Sequence, residues 1–287
     1  MKSKFFFLSC CLLLMAAGLF SYMQEIKSES LVIMPVDSRE NIEIPIIMYH
    51  GIVAGTAEES EYMISAERFE SDLRWLAEAG YTTILPSQLI AYASNGSILP
   101  AKPVIISFDD GYGNNYTLAY PLLQKYSAKA VISLIGSESE LSSGTVYRDP
   151  LHSNLSWGEV AIMARSGLVE FANHTYDLHT ADAVGRKGAD MLPGEKFDEY
   201  RQILSEDLKK NQHFISQASG TVPQVFAWPY GAYPMDGSAD KILQELGFKA
   251  SFISWQHTST VYAGKPETLY NLGRYLRTPD FDMHSII

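Results

Sequence analysis

PVIISFDDGYGNN, Pro103 to Asn115, joins the pattern of a buried strand to two adjacent carboxylates. Val104 to Phe108 is apolar and mostly β-branched, with one serine, which predicts a strand inside a core. Asp109 and Asp110 follow at once, and an unpaired carboxylate is costly to bury. The stretch therefore predicts a strand whose end delivers two acids to a site that compensates their charge.

Short apolar runs alternate with amphipathic helical patterns on both sides of this stretch. The predicted strands are Ile44–His50, Tyr81–Leu85, Val104–Phe108, Ala130–Gly136, Leu168–His174, Gln224–Gly231 and Ala250–Ser254. This βα repeat indicates the α/β class with a parallel sheet, and about seven units favour a distorted (β/α) barrel over an open sheet. No glycine fingerprint follows the first strand, which disfavours a dinucleotide-binding fold.

The net charge of the 287-residue chain is −11, from 22 basic and 33 acidic residues. We expect no electrostatic binding of nucleic acid by such an acidic chain, which suits a neutral or polycationic polymer instead. Both cysteines, Cys10 and Cys11, fall in the N-terminal apolar run, so no disulfide or thiol chemistry is predicted for the rest of the chain.

The N-terminus has the pattern of an export segment. Lys2 and Lys4 precede an apolar run from Phe5 to Phe20, which predicts a signal peptide or an N-terminal membrane anchor over residues 1–23. Residues 24–43 are predicted to be a linker and residues 44–287 a single catalytic domain. We expect a protein that is secreted or anchored at the outer face of the cytoplasmic membrane and contacts the membrane only through this segment.

Polar residues at four predicted strand ends have the chemistry of a metal hydrolase. Each alone has an ordinary explanation, such as a turn or a helix cap, but strand ends of a barrel converge on one rim. Two imidazoles and a carboxylate suit zinc or another divalent metal, and a second carboxylate can take a proton from water. The residues are His50, the pair Asp109 and Asp110, His174 with His179, and Tyr230.

Three motifs resemble those of the NodB-homology polysaccharide deacetylases, carbohydrate esterase family four. SFDDG (107–111) is similar to the first motif, [T/S]-F-D-D-G, and HTYDLH (174–179) resembles the second, H-[S/T]-x-x-H, with one extra residue. FAWPYG (226–231) resembles the third, usually F-R-x-P-Y-G. The resemblance runs from about Ile46 to Arg274. It implies a metal-dependent hydrolase that removes N-acetyl groups from an extracytoplasmic polysaccharide containing N-acetylglucosamine.

The resemblance also implies a role for each motif residue. Asp110, His174 and His179 would bind the divalent metal, with zinc favoured and cobalt, nickel or iron as alternatives. Asp109 would be the general base that activates water. The backbone N–H of Tyr230 would help to hold the oxyanion.

Departures from the family pattern point to one branch. The longer histidine spacing and the sequence MYH (48–50) are similar to the poly-N-acetylglucosamine deacetylases, in which the catalytic histidine comes from the N-terminal side. This implies that His50 is the general acid and that His284, in the tail, is peripheral. Ala227 stands where motif three usually has arginine, and Arg274 is the candidate replacement. Trp255 is a candidate for the fourth motif.

Three aromatic residues near the predicted rim, Tyr112, Trp228 and Tyr233, are candidates for stacking on sugar rings. Packing in the core explains Trp228 at least as well.

Several alternatives remain at this level. The same residues suit an O-acetyl polysaccharide esterase, a 2-His-1-carboxylate iron oxygenase, or a non-catalytic wall-binding protein on the same fold. The second aspartate and the βα alternation favour the hydrolase. The polymer also stays open among poly-N-acetylglucosamine, peptidoglycan and chitin-type chains, with a preference for exopolysaccharide.

Overall fold

The computed structural model describes residues 40–181 and 185–286. The predicted leader, residues 1–23, and most of the predicted linker lie outside the described residues. The first strand, β1, begins at Asn41, slightly before the predicted boundary at Ile44. No described helix combines the length and apolar character needed to cross a membrane.

The strands are β1 Asn41–Ile44, β2 Ile46–Tyr49, β3 Gly51–Val53, β4 Met63–Ser65, β5 Thr82–Thr83, β6 Pro103–Phe108, β7 Ala130–Leu134, β8 Val169–Asn173, β9 Val225–Ala227, β10 Ala250–Phe252, β11 Ser259–Tyr262 and β12 Tyr275–Leu276. The α-helices are α1 Ala66–Glu78, α2 Pro86–Asn95, α3 Tyr120–Tyr126, α4 Gly136–Gly144, α5 Trp157–Ala164, α6 Phe197–Ser219 and α7 Ser238–Glu245. A π-helical turn, Asn115–Ala119, leads into α3.

One parallel sheet organises the molecule. Its strand order is β10-β9-β8-β7-β6-β2-β12, and β5 pairs with the first residues of β6. The sheet curls into a half-barrel whose two edge strands, β10 and β12, are not paired with each other among the described residues. This confirms the prediction of a distorted α/β barrel, because the parallel strands from β2 through β6, β7, β8 and β9 to β10 are connected through helices.

Side chains along β6 alternate between the two faces of the sheet. Ile106 and Phe108 pack in a cluster on the helix side of the sheet, together with residues of α1 and α3. Ile105 lies on the opposite face, in a second cluster that includes Val131 of β7. The same alternation puts Asp109 on the inner face, at the carboxyl end of the strand.

A buried polar cluster fastens the end of β12 to the rest of the barrel. Arg277 donates from Nε and Nη2 to the two carboxylate oxygens of Asp72 in α1, at 2.8 and 2.9 Å. The Tyr49 hydroxyl donates to the same carboxylate at 2.9 Å. Because a buried ion pair needs such additional hydrogen bonds, this cluster holds β12 in one register beside β2.

The βα alternation predicts neither of two short pairings. β1 pairs with β11 in an antiparallel ribbon, and β3 pairs with β4 in parallel. It also does not predict α4, a polar helix that starts directly after β7. Segments of three or four residues are too short to display a period, so these pairings emerge only from contacts distant in sequence.

Candidate active site

The register of the sheet brings the polar strand ends to one rim. The backbone N–H of Asp109 donates to the Tyr49 carbonyl at 2.9 Å, so Asp109 lies beside His50. A pocket of about 420 Å³ opens there. All the predicted site residues line it: His50, Asp109, Asp110, His174, His179, Tyr230 and Arg274.

Three of these side chains converge as a set of metal ligands would. The Oδ1 atom of Asp110 lies 3.5 Å from Nε2 of His174 and 3.2 Å from Nε2 of His179. One ligand atom from each of the three residues lies within 4.8 Å of the other two. Two imidazole nitrogens and one carboxylate oxygen form a donor set that suits a divalent transition metal and leaves positions open.

Hydrogen bonds aim both imidazoles at this point. Nδ1 of His174 donates to the Ala227 carbonyl at 2.7 Å, which leaves the Nε2 lone pair directed at Asp110. Nδ1 of His179 lies 3.3 Å from the Tyr230 hydroxyl. An outer partner that fixes the tautomer is the usual arrangement around ligating histidines. The residues present therefore fit a bound cation.

A left-handed turn lets both carboxylates reach the same pocket. Asp110 has a φ of 66° and Gly111 a φ of 68°, so the chain leaves the extended conformation directly after Asp109. Asp is one of the few residues that tolerate this region. The Asn154 side chain donates to the Asp110 carbonyl at 2.6 Å. The turn removes the strand alternation that would otherwise send the two carboxylates to opposite faces.

Asp109 forms a buried two-point ion pair with Arg274. Nη1 and Nη2 of Arg274 donate to the two Asp109 oxygens, each at 2.7 Å, and Nε donates to the Ile253 carbonyl at 3.0 Å. Burial raises the pKa of Asp109, but neighbouring positive charge, above all that of Arg274, outweighs it and lowers the pKa to about 2. Asp109 is thus ionised and held in one orientation. Ala227, at the motif-three position, contributes only its carbonyl.

His50 stands at the end of β2, next to this pair. Its carbonyl accepts a hydrogen bond from Asn115 at 2.8 Å, and its ring meets Tyr62 edge-on with centroids 4.8 Å apart. Burial lowers the pKa of His50, while the charges of Asp109 and Asp110 act in the opposite direction. A buried imidazole with a lowered pKa is a stronger acid when it is protonated.

The turn Pro229–Gly231 brings Tyr230 to the pocket from the end of β9. Tyr230 is left-handed, with a φ of 56°, and its side chain is 43% exposed. Gly188 supports this turn from outside. A Cβ on Gly188 would lie 2.9 Å from the Pro229 carbonyl oxygen and 3.3 Å from Cδ2 of Tyr230, and the φ of Gly188 is 58°.

We expect Gly188→Ala to move the Pro229–Gly231 turn and to lower kcat by roughly tenfold, because displacements of about 1 Å are costly in catalysis. Gly194→Ala is the matched control, since this glycine also has a positive φ but meets no atom within 4 Å. Kinetics of both variants on an acetylated oligomer, the kind of substrate that the resemblance implies, check the prediction. Equal effects would mean that backbone strain alone is responsible.

Motif reasoning did not find Asn211, which ties two strand ends together beneath the histidines. From the middle of α6, the two hydrogens of its Nδ2 face three acceptors, the Leu134 carbonyl at 2.8 Å, Asn173 Oδ1 at 2.9 Å and the Thr175 carbonyl at 2.8 Å, so that one hydrogen is shared. An asparagine within a long polar helix gives no signal of this kind. Only its complete burial in the folded chain distinguishes it.

The other residues proposed from the sequence differ in their burial and in whether they line the pocket. Trp228 is fully buried, so packing in the core accounts for it and its ring has no free face for a sugar. Tyr112 lines the pocket and is half-buried. Tyr233 and the exposed Trp255 contact each other, with ring centroids 6.2 Å apart. His284 is exposed and accepts a hydrogen bond from Trp75, away from the site.

Comparisons with known proteins identify the family of the chain. The family model described as polysaccharide deacetylase matches residues 97–251, more than half of the chain. The chain therefore belongs to the polysaccharide deacetylase family. The parallel half-barrel is the fold that the chain shares with this family.

Individual relatives cover most of the chain. The poly-β-1,6-N-acetyl-D-glucosamine N-deacetylase of Escherichia coli K12 is 29% identical over an alignment of 224 residues, which covers 72% of this chain but 33% of that protein. The solved de-N-acetylase from Aggregatibacter actinomycetemcomitans is similar with a TM-score of 0.72 and 29% identity, over 85% of this chain and 98% of that one. IcaB from Ammonifex degensii has a TM-score of 0.68 and 28% identity, with 83% and 93% covered. The chain thus spans about a third of the Escherichia coli relative.

Proposed function

We propose that the protein is a metal-dependent hydrolase that removes N-acetyl groups from a polysaccharide containing N-acetylglucosamine and releases acetate. The observation that carries the proposal is the meeting of Asp110, His174 and His179 beside the buried Asp109–Arg274 pair. The names of the relatives support poly-β-1,6-N-acetylglucosamine as the first polymer to test. Because the chain spans only about a third of the Escherichia coli relative, the activity of that whole protein is proposed for this chain and is not carried over from the name.

Asp110, His174 and His179 would hold the divalent cation, with zinc favoured over cobalt, nickel or iron. When bound there, such a cation supplies Lewis acidity that polarises a carbonyl and acidifies water. His174 is fixed for this task by the Ala227 carbonyl, and His179 by the Tyr230 hydroxyl. Burial opposes ionisation of Asp110, but the facing imidazoles of His174 and His179 hold the pKa of its carboxyl well below the usual range.

Asp109 would act as the general base. It lies at the pocket wall, ionised and oriented by Arg274, where it takes a proton from the water that attacks the acetyl carbon. A carboxyl with a pKa near 2 is a weak base, so the transfer requires an acidified water. Arg274 is a positioning residue, because it acts through Asp109.

Two further groups would complete the reaction. The backbone N–H of Tyr230 would donate to the oxyanion of the tetrahedral intermediate. In other enzymes, removal of one such donor lowers kcat by about 10²–10³-fold. His50, on the other side of Asp109, would protonate the departing sugar amine. The products are acetate and a glucosamine unit.

We also propose that the protein is exported and acts outside the cytoplasm. The support is the sequence of residues 1–23, whose basic start and apolar run are typical of a signal peptide or anchor. The catalytic domain is proposed to be residues 44–287, with residues 24–43 as a linker.

Metal analysis followed by acetate release tests the proposed function. The purified protein is assayed for bound metal and then with poly-β-1,6-N-acetylglucosamine, peptidoglycan, chitin oligomers and an O-acetylated polysaccharide. We expect about one divalent ion per chain and release of acetate from an N-acetylated polymer, abolished by a chelator and restored by metal. Release from the O-acetylated polymer alone would identify an esterase. Binding of a polymer without release would identify a non-catalytic wall-binding protein.

We expect His50→Ala to slow hydrolysis of an N-acetyl substrate by about 10²-fold or more, because an amine needs a proton to leave. An activated acetate ester should lose less than about tenfold, since its leaving group departs as an anion. His284→Ala is the control, because that imidazole is exposed and does not line the pocket. The same loss on both substrates would contradict the acid role.

A further inference from the structure

Part of the pocket wall is formed by a loop that precedes α6. We call residues 185–195 the rim loop. Its residue Lys187 lines the pocket together with the proposed ligands and base. The inference below rests on the proposed function and concerns the selection of substrate at the same site.

The rim loop is held by a buried ion pair of its own. Nη2 of Arg186 donates to Oε1 of Glu195 at 2.5 Å, and Nη1 donates to the Asp190 carbonyl at 2.7 Å. These two charged side chains are only 6% and 7% exposed. The Tyr200 hydroxyl adds a hydrogen bond to the Ala189 carbonyl at 2.9 Å. Because breaking a buried pair is costly, the loop has one preferred conformation.

The rim loop is also attached to the site itself. The Gly188 N–H donates to the Thr180 carbonyl at 2.9 Å, directly after the proposed ligand His179. The backbone of Lys187 forms an isolated antiparallel β-bridge with Ala181 of the same segment. On its other side, Gly188 contacts the Pro229–Gly231 turn. These contacts place the Lys187 backbone at a defined point of the pocket wall.

Among the residues that the structure describes, the charged side chains of the pocket have other partners than Lys187. Asp109 is neutralised by Arg274, and Asp110 faces the two histidines and the proposed cation. Within residues 40–181 and 185–286, no carboxylate lies at ion-pair distance from Nζ of Lys187. Lys187 thus brings a positive charge, unpaired among these described residues, to the pocket lining of a chain whose net charge is −11.

We propose that Lys187 is a specificity-determining residue that disfavours sugar chains with a free amine next to the acetylated unit in the pocket. Deacetylation turns a neutral acetamide into an amine, which is an ammonium at mildly acidic pH. A neighbouring ammonium would meet the Lys187 charge, whereas a neighbouring N-acetyl group would not. The net negative charge of the chain attracts a cationic polymer at long range. In the pocket, the positive charge of Lys187 acts in the opposite direction on a sugar unit that carries an ammonium group.

The expected effect is modest and depends on salt. Two like charges several ångströms apart at a wet surface repel by an amount that corresponds to about a threefold change in binding. Salt screens this repulsion, since the Debye length falls from about 30 Å at 0.01 M to about 3 Å at 1 M.

The experiment compares two β-1,6-linked N-acetylglucosamine tetramers, one fully acetylated and one with a single free amine, at mildly acidic pH. The measured quantity is the ratio of kcat/KM for the second to that for the first. We expect this ratio to rise about threefold in Lys187→Met and further in Lys187→Glu, at low salt only. Lys187→Arg keeps the charge and should keep the ratio.

Lys196→Met is the matched control for loss of one charge. That side chain is 82% exposed, lies 3.6 Å from Glu199 and does not line the pocket. A ratio that stays unchanged in Lys187→Met, falls, or shifts equally in Lys196→Met would overturn the inference. No acetate release from either tetramer by the unmodified protein would contradict the inference for this polymer, and release from none of the panel polymers would contradict the proposed function itself.

Discussion

Asp110→Asn should lose most bound metal and lower acetate release by roughly 10³-fold or more, because Lewis-acid stabilisation is worth several kcal/mol and each 1.36 kcal/mol is about tenfold. Asparagine suits the test because it tolerates the left-handed backbone that Asp110 adopts, at a φ of 66°. The change therefore removes the charge and preserves the turn.

Metal content and acetate release, measured on the same samples, check this prediction. His179→Ala should give the same two losses, since its Nε2 lies 3.2 Å from Asp110. Asp177→Asn is the matched control, because this carboxylate is exposed in the same segment and is outside the candidate ligand cluster. Full metal occupancy in both Asp110→Asn and His179→Ala would refute the proposed ligand set.

Arg274→Met should destabilise the protein by about 3–5 kcal/mol, the usual cost of leaving one partner of a buried ion pair alone. Asp109 would remain as a buried carboxylate without the two hydrogen bonds that it accepts at 2.7 Å. Unfolding by urea measures this loss. Arg201→Met is the control, because its pair with Glu245 is half-exposed and such pairs contribute about 0–1 kcal/mol.

Asp109→Asn separates the effect of the Asp109–Arg274 ion pair on stability from the role of Asp109 in turnover. We expect it to retain metal, since Asp110, His174 and His179 remain, and to lose turnover by about 10²–10⁴-fold, the usual contribution of a general base. The double variant Asp109→Asn with Arg274→Met should recover part of the stability lost in Arg274→Met without recovering turnover. Near-normal acetate release by Asp109→Asn would show that the base is another group.

Several features of the site were accessible from local sequence. The run from Val104 to Phe108 indicates a buried strand, and polar residues at the end of a βα strand are expected at the rim. The neighbouring pair Asp109 and Asp110 follows from this reasoning. The resemblance to the deacetylases supplied Arg274 as a candidate, but only the register of β12 beside β2 puts its guanidinium against Asp109, 165 residues away.

Other features have no local signal. Asn211 is one of many polar residues in α6, and Gly188 is one of several glycines in loops. Their importance comes from hydrogen bonds to Leu134 and from a close approach to Pro229, both distant in sequence. The burial of Trp228 was equally undecided, because an aromatic residue beside a rim suits a core and a sugar-binding surface alike.

The sequence by itself determined the α/β architecture, the family and the residue types available at the rim, because hydrophobic periodicity and short motifs are local properties. The tertiary structure decided which atoms face one another. The left-handed backbone of Asp110 turns its carboxylate to His174 and His179. The strand alternation of β6 places the Asp109 carboxylate against the Arg274 guanidinium. The physical reason is that buried charges must find partners, and in this chain those partners come from strands far apart in sequence.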